Sequence, residues 1–166
     1  LAEWLGVEPS PRWDGRSYAA ALRDGADCGR DYLVLSQCCH VCQRSVRFGP
    51  WLWMRTLHDG FHLFPREMLF HLPSDPHEQR NVAEANPDVC RQAAHLYVQW
   101  HDEMMLSMPY PYDTDPLWTV MKEGGPMHAR GMLPSYLERL KKTDRGAAED
   151  ELRRRHPREF KPPRVW

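Results

Sequence analysis

The chain has 166 residues, 42% of them hydrophobic, and a formal charge of −1 from 22 Lys and Arg against 23 Asp and Glu. A chain of this length buries roughly 70% of its unfolded surface without disulfides or metals, and its balanced charge excludes a generally basic nucleic-acid binder. The charge is uneven, because residues 129–166 carry 11 positive and 6 negative side chains (+5), leaving 11 minus 17 (−6) on the first 128.

No run approaches the roughly 18 apolar residues of a membrane span, and no charged-then-apolar leader opens the chain. Leu1-Ala2-Glu3-Trp4-Leu5 followed by Gly6 reads as the last turn of a helix with its glycine stop. A helix that short does not nucleate alone in water, so an upstream part of a longer protein is expected. Residues 7–16, with Pro9, Pro11 and Asp14-Gly15, form a surface connection. Ser17 then caps a short helix that stops near Gly25.

Four strands follow, over residues 31–37, 43–48, 51–57 and 67–72, with Asp59-Gly60 as a hairpin turn before the last. In the third, Trp51, Trp53 and Arg55 alternate with Leu52, Met54 and Thr56, so both faces carry large apolar groups. One face is expected to meet a helix from Pro87 to about residue 105. That helix has Asn86 as N-cap and a stripe of Val89, Ala93, Leu96, Trp100 and Met104. The other face wants the upstream body, and without it Trp51 or Trp53 is expected to be uncovered. Beyond Pro109 the chain turns Pro-, Tyr- and Gly-rich and reads as extended. A helix follows over about 134–143, another over 147–155, and an extended end at Lys161-Pro162-Pro163. The expected fold is therefore α+β: a small four-stranded antiparallel sheet packed by a C-terminal helix, with an extended tail.

The five cysteines are Cys28, Cys38, Cys39, Cys42 and Cys90, an odd number with three crowded together, which is no disulfide framework. Cys39 and Cys42 have the C-x-x-C spacing of a zinc or redox pair, but zinc needs a second pair and plain reduced thiols are favoured. Reduced cysteines favour a cytoplasmic location. His58 and His62 have the i, i+4 spacing of a helical zinc motif, yet Asp59-Gly60 between them breaks a helix and favours the turn. His40, Arg44 and Arg47 lie just before the Trp-rich strand, either as ordinary strand and edge charges or as candidate substrate-adjacent residues whose Arg forks suit an anion. The run Arg153-Arg154-Arg155-His156 reads as a solvated tail before an acidic-lipid or nucleic-acid contact.

The most specific pattern is Met68-Leu69-Phe70-His71-Leu72 followed by Asp75-Pro76-His77-Glu78-Gln79-Arg80-Asn81-Val82-Ala83. Read physically, Asp75 caps a helical turn, Pro76 fits its first position and Glu78 reaches back as in a capping box. The run resembles the sulfatase family, whose C-terminal subdomain carries a Leu-Tyr-Asp-Leu strand and then Asp-Pro-x-Glu-x-x-Asn-Leu-Ala; Phe70, His71 and Val82 depart from that pattern. Residues 1–7 with Asp14-Gly15-Arg16-Ser17, and Arg44-Ser45-Val46-Arg47 with the Trp-rich strand, are similar to the same family, most nearly to bacterial arylsulfatases and heparan N-sulfatase relatives. The resemblance divides the chain into a connection (1–28), the subdomain (29–106) and a basic tail (107–166), and marks Asp75, Pro76, Glu78 and Asn81 as structural.

The resemblance implies a sulfate-ester substrate and an upstream catalytic domain of the same protein as partner. Calcium and a formylglycine, made from the Cys of a Cys-x-Pro-x-Arg segment, belong to that domain. No cysteine here is followed by Pro and Arg at that spacing, and the acids are scattered, so the chain itself is expected to be inactive. A phosphoesterase or phosphonate hydrolase of the same superfamily is the nearest rival, and an autonomous interaction module is the rival from another class.

Overall fold

A computed structural model describes residues 1–11, 13, 15–27, 29–38, 40–107 and 129–160. The chain falls into two units, Leu1–Asp31 and Tyr32–Trp166. In the first, a 3-10 turn at Glu3–Leu5 ends at Gly6, whose φ of +66° suits a residue without Cβ. Helix α1, Ala19–Asp24, starts with the Ala19 N–H donating to Ser17 Oγ at 3.2 Å and stops at Gly25. Among its described residues only Ala19 is buried, while Trp4, Leu5, Trp13 and Leu22 are exposed.

The second unit is α+β. Strands β1 (Tyr32–Cys38), β2 (Cys42–Phe48), β3 (Trp51–His58) and β4 (Glu67–His71) form one antiparallel sheet in the order β1-β2-β3-β4. The two-residue turn between β2 and β3 is Gly49-Pro50, with Gly49 at φ +44° and Phe48 paired to Trp51. The expected Asp59-Gly60 hairpin is instead the start of a longer loop, residues 59–66. The ladder has already broken at Leu57, which is extra between the Gln43–Thr56 and Cys42–His58 pairs.

The register puts Val34, Val46, Trp53 and Leu69 in one row across the sheet. Helix α2 (Pro87–Leu106) covers that row with Cys90 and Ala93, and Tyr97, Val89 and Leu96 pack beside them. Trp53 is 0% exposed and Trp51 is half-buried. The expectation that one of them is left uncovered is therefore corrected: both share the face that α2 takes. Leu52, Met68 and Phe70 on the opposite face are buried as well, and the buried Gln43 amide there donates to Thr56 Oγ1 at 3.1 Å. The exposed apolar groups of the sheet are Leu33 and Leu35 of β1 and Leu57.

Asn86 sits at the N-cap position of α2, but its side chain does not cap. Its Nδ2 donates back to the Val82 carbonyl at 2.8 Å, and Pro87, lacking an N–H, needs no acceptor in the first turn. After residue 107 the next described elements are α3 (Leu133–Lys142) and α4 (Glu149–Arg155). They build a second cluster from Leu133, Leu137, Leu140 and Leu152, joined by Phe61 of the 59–66 loop. The extended segments expected at 110–112, 124–126 and 161–163 lie outside the described residues. Arg153, Arg154 and Arg155 are held by Glu149, Glu151 and Asp59, so this run is an ion-paired helix end.

The outer edge of β4 would present unpaired backbone groups to water or to another chain. Asn81 closes it: its Oδ1 accepts the Leu69 N–H at 2.9 Å and its Nδ2 donates to the Glu67 carbonyl at 3.1 Å. The Val82 N–H completes the clamp on the Leu69 carbonyl at 2.9 Å. Asn81→Ala is expected to cost about 2–3 kcal/mol in chemical denaturation, since it strands these groups at a partly buried edge. Asn81→Asp should be hardly better at neutral pH, because a carboxylate cannot donate to the Glu67 carbonyl. A loss below 0.5 kcal/mol for both variants would show that water replaces the clamp.

Candidate functional site

His40, Arg44 and Arg47 do not converge. His40 is exposed in the turn between β1 and β2. Arg44 and Arg47 are three residues apart on β2, and an odd spacing puts them on opposite faces of a strand. Arg44 is 4% exposed beneath α2, its guanidinium 4.9 Å from the Trp100 ring centre and 5.8 Å from that of Tyr97. Arg47 lies on the other face, where its Nη1 donates to the Gly49 carbonyl and, at 3.4 Å, to that of Trp51. At ~3.3 Å per residue, Arg47 stands roughly 16 Å along β2 from Cys42, and His40 lies in the turn before that strand. One sulfate group cannot bind both.

What surrounds His40 is a corner that its sequence neighbours did not reveal. The Gly60 N–H donates to His58 Nδ1 at 2.9 Å, and Gly60 holds φ +57° with its α-carbon against the His40 carbonyl. A Cβ there would overlap that oxygen. The next residues reach α3 and α4: Phe61 meets the ring of His156 edge-on, His62 Nδ1 lies 3.5 Å from the Tyr136 hydroxyl, and Arg155 Nη1 donates to Asp59 Oδ2 at 2.6 Å. Burial, reinforced by the charge of His40 and opposed by Asp59, lowers the His62 pKa below its ordinary 6.5. The His58 and His62 spacing thus serves a turn and a helix contact.

The Asp75 motif is a backbone cage. Asp75 Oδ1 accepts the Gln79 N–H at 3.0 Å and Oδ2 the Arg80 N–H at 2.8 Å. These bonds hold its carboxyl below the ordinary 3.8, the Gln79 bond contributing most. Pro76 occupies the turn that this carboxylate spans. Glu78 takes a left-handed φ of +54° with its side chain exposed, so it turns the chain and does not reach back as a capping-box partner. The turn delivers Asn81 to the edge of β4, where its Oδ1 also accepts the Ala83 N–H at 3.0 Å.

Beside this edge lies a cleft of about 810 Å³ lined by Arg55, Glu67, Asn81, Glu84, Cys90 and Arg91 among others. Within it Glu67 Oε1 accepts from Arg55 Nη2 at 3.0 Å and from the neighbouring Trp53 Nε1 at 2.9 Å, and Arg91 is paired with Asp88. Arg55 also stacks on Trp53, 5.0 Å from its ring centre. Among the described residues no three His, Cys, Asp or Glu side chains are grouped to hold a metal ion. No helix among them is long and apolar enough to cross a membrane.

No family model and no curated protein matches the sequence. In structure the chain is similar to a Bacteroides thetaiotaomicron 6S-sulfatase from a core genetic locus for the metabolism of multiple glycosaminoglycans. The TM-score is 0.45 at 19% sequence identity, and the match covers 59% of this chain and 22% of that one. The chain thus spans about a fifth of the length of that solved structure.

Two outcomes follow from the corner and the cage. Gly60→Ala combines a positive φ with a backbone clash and should cost about 2–3 kcal/mol, whereas Gly6→Ala, with the same kind of φ but open space, should cost about 1 kcal/mol. Equal losses in denaturant melts would mean that the His40 turn gives way. For Asp75, a depressed folded-state pKa means that its contribution is complete above the ordinary 3.8 and is lost as pH falls through the lowered value. Wild type and Asp75→Asn should therefore differ in urea midpoint at pH 6, with the gap narrowing below pH 3.8 and closing as pH falls past the lowered value. A gap that persists unchanged into acid would assign the difference to something other than this carboxylate.

Proposed function

We propose that this chain is the C-terminal part of a sulfatase-like sulfuric ester hydrolase, which completes the catalytic body of the intact enzyme and performs no chemistry alone. The run from Met68 to Ala83 carries this reading. The residues it shares with the sulfatase pattern have distinct structural tasks: Asp75 cages a turn, Pro76 enters it, Glu78 reverses it and Asn81 ties it to the last strand. The first unit also supports the reading, because a segment that exposes Trp4, Leu5, Trp13 and Leu22 and, among its described residues, buries only Ala19 is suited to lie against a larger body.

Calcium and formylglycine belong in this reading to the upstream catalytic domain. The residues of this chain do not fit either group: the described part holds no metal-ligand cluster, and none of the five cysteines has Pro and Arg two and four residues on. Arg44 is buried beneath α2, so in this reading substrate contact falls to the exposed His40 or to the half-buried Arg47.

The reading is tested by determining the coding sequence ahead of Leu1 and by assaying a chromogenic aryl sulfate with residues 1–166 alone and joined to that upstream part. A Cys-x-Pro-x-Arg upstream, turnover by the joined protein and none above a boiled control by 1–166 are expected. Turnover by 1–166 alone, or an upstream sequence without a hydrolase nucleophile, would overturn it. Hydrolysis of phosphate esters in place of sulfate esters would select the phosphoesterase branch.

A further inference from the structure

Cys38 and Cys42 are directly opposed partners at the closed end of the β1–β2 hairpin. Their Sγ atoms are 3.5 Å apart and both are free thiols, Cys38 half-buried and Cys42 fully buried. The C-x-x-C spacing drew attention to Cys39 and Cys42, but strand register pairs Cys42 with Cys38. Opposed residues of an antiparallel pair have Cβ atoms about 4.5–5.5 Å apart, and a disulfide needs about 3.5–4.5 Å, so a small contraction of the hairpin end suffices.

We propose that Cys38 and Cys42 form an oxidisable cross-strand dithiol whose reaction partner is a low-molecular-weight disulfide. The accessible Cys38 thiolate attacks the small disulfide, forms a mixed disulfide and releases one small thiol. Cys42, already in contact, then attacks the Cys38 sulfur and expels the second. Two protein thiols are oxidised to one disulfide, one small disulfide is reduced to two thiols, and the two protons lost by the protein end on the released thiols.

Burial holds the Cys42 thiol above its ordinary range, so the closing step quickens as pH rises and the thiolate fraction grows. Its product fixes the turn that carries His40, whose carbonyl rests against Gly60.

The full chain is incubated with oxidised glutathione between pH 7 and 9, and free thiols are counted under denaturing conditions for wild type, Cys38→Ser, Cys39→Ser and Cys42→Ala. Wild type should fall from five thiols to three, and Cys39→Ser should still lose two, at a rate that rises with pH. Cys38→Ser and Cys42→Ala should lose no pair. Should the buried Cys42 change unfold the protein, the half-buried Cys38 change decides alone. The oxidised chain should also melt about 5 °C higher, reversed by reductant. A pair lost in Cys38→Ser, no pair lost in Cys39→Ser, or five thiols remaining in wild type at pH 9 would each overturn the proposal.

Discussion

The backbone of Leu69 governs how the rest of the second unit is assembled. Its N–H and carbonyl point away from β3, and a side-chain amide and a backbone N–H from residues 81 and 82 take both. Once Asn81 is fixed there, the chain has few residues left before Pro87, and the Asn86 amide on the Val82 carbonyl fixes where α2 begins. The helix is then laid across the Val34-Val46-Trp53-Leu69 row from that anchored start. Magnitudes agree with this order of importance. Burying a large apolar side chain such as Leu69 contributes about 3 kcal/mol, whereas the Arg55–Glu67 pair, more than a third exposed on both sides, contributes at most about 1 kcal/mol.

One row further along, the sheet sets two arginines side by side, Arg44 opposite Arg55 in register. Like charges directly opposed are unfavourable, and each guanidinium is relieved in its own way. Arg55 lies between the Trp53 ring and the Glu67 carboxylate, and Arg44 lies under α2 against Trp100 and Tyr97. The desolvated Arg44 contact is worth about 2 kcal/mol or more, and the partly exposed Arg55 contact about 0.5–1 kcal/mol. They also fix the rotation of α2, since Trp100 and Tyr97 must both face Arg44 while Cys90 and Ala93 face Trp53.

That rotation marks where sequence reading stopped. All four strands, the extent of α2 and the glycine stops were legible from alternation, helical period and cap chemistry, because each is a local pattern. The apolar stripe of α2 was read through Val89, Ala93 and Leu96, but Cys90 and Tyr97 are as central, and a thiol and a phenol do not score as core by type alone. Asp59-Gly60 carries a stronger local turn signal than Gly49-Pro50, but the Leu57 bulge, a property of the pairing, breaks the ladder before it. His40, Arg44 and Arg47 are near one another in sequence, which a strand undoes by sending alternate residues to opposite faces. The Cys38 and Cys42 pairing was equally hidden, because cross-strand register cannot be read from C-x-x-C spacing.

The two edges of the sheet are treated differently. At β4 the chain uses its own loop to satisfy the outward backbone groups. At β1 no backbone hydrogen bond closes the outer edge among the described residues, and Leu33 and Leu35 are 43% and 45% exposed on one face. An unclosed edge with leucines beside it is a surface that isolated proteins usually blunt with Lys, Pro or a bulge, and β1 (Tyr-Leu-Val-Leu-Ser-Gln-Cys) contains no Lys or Pro. A sheet that closes one edge with a dedicated motif therefore concentrates its exposed apolar surface at the other, where Leu33 and Leu35 stand.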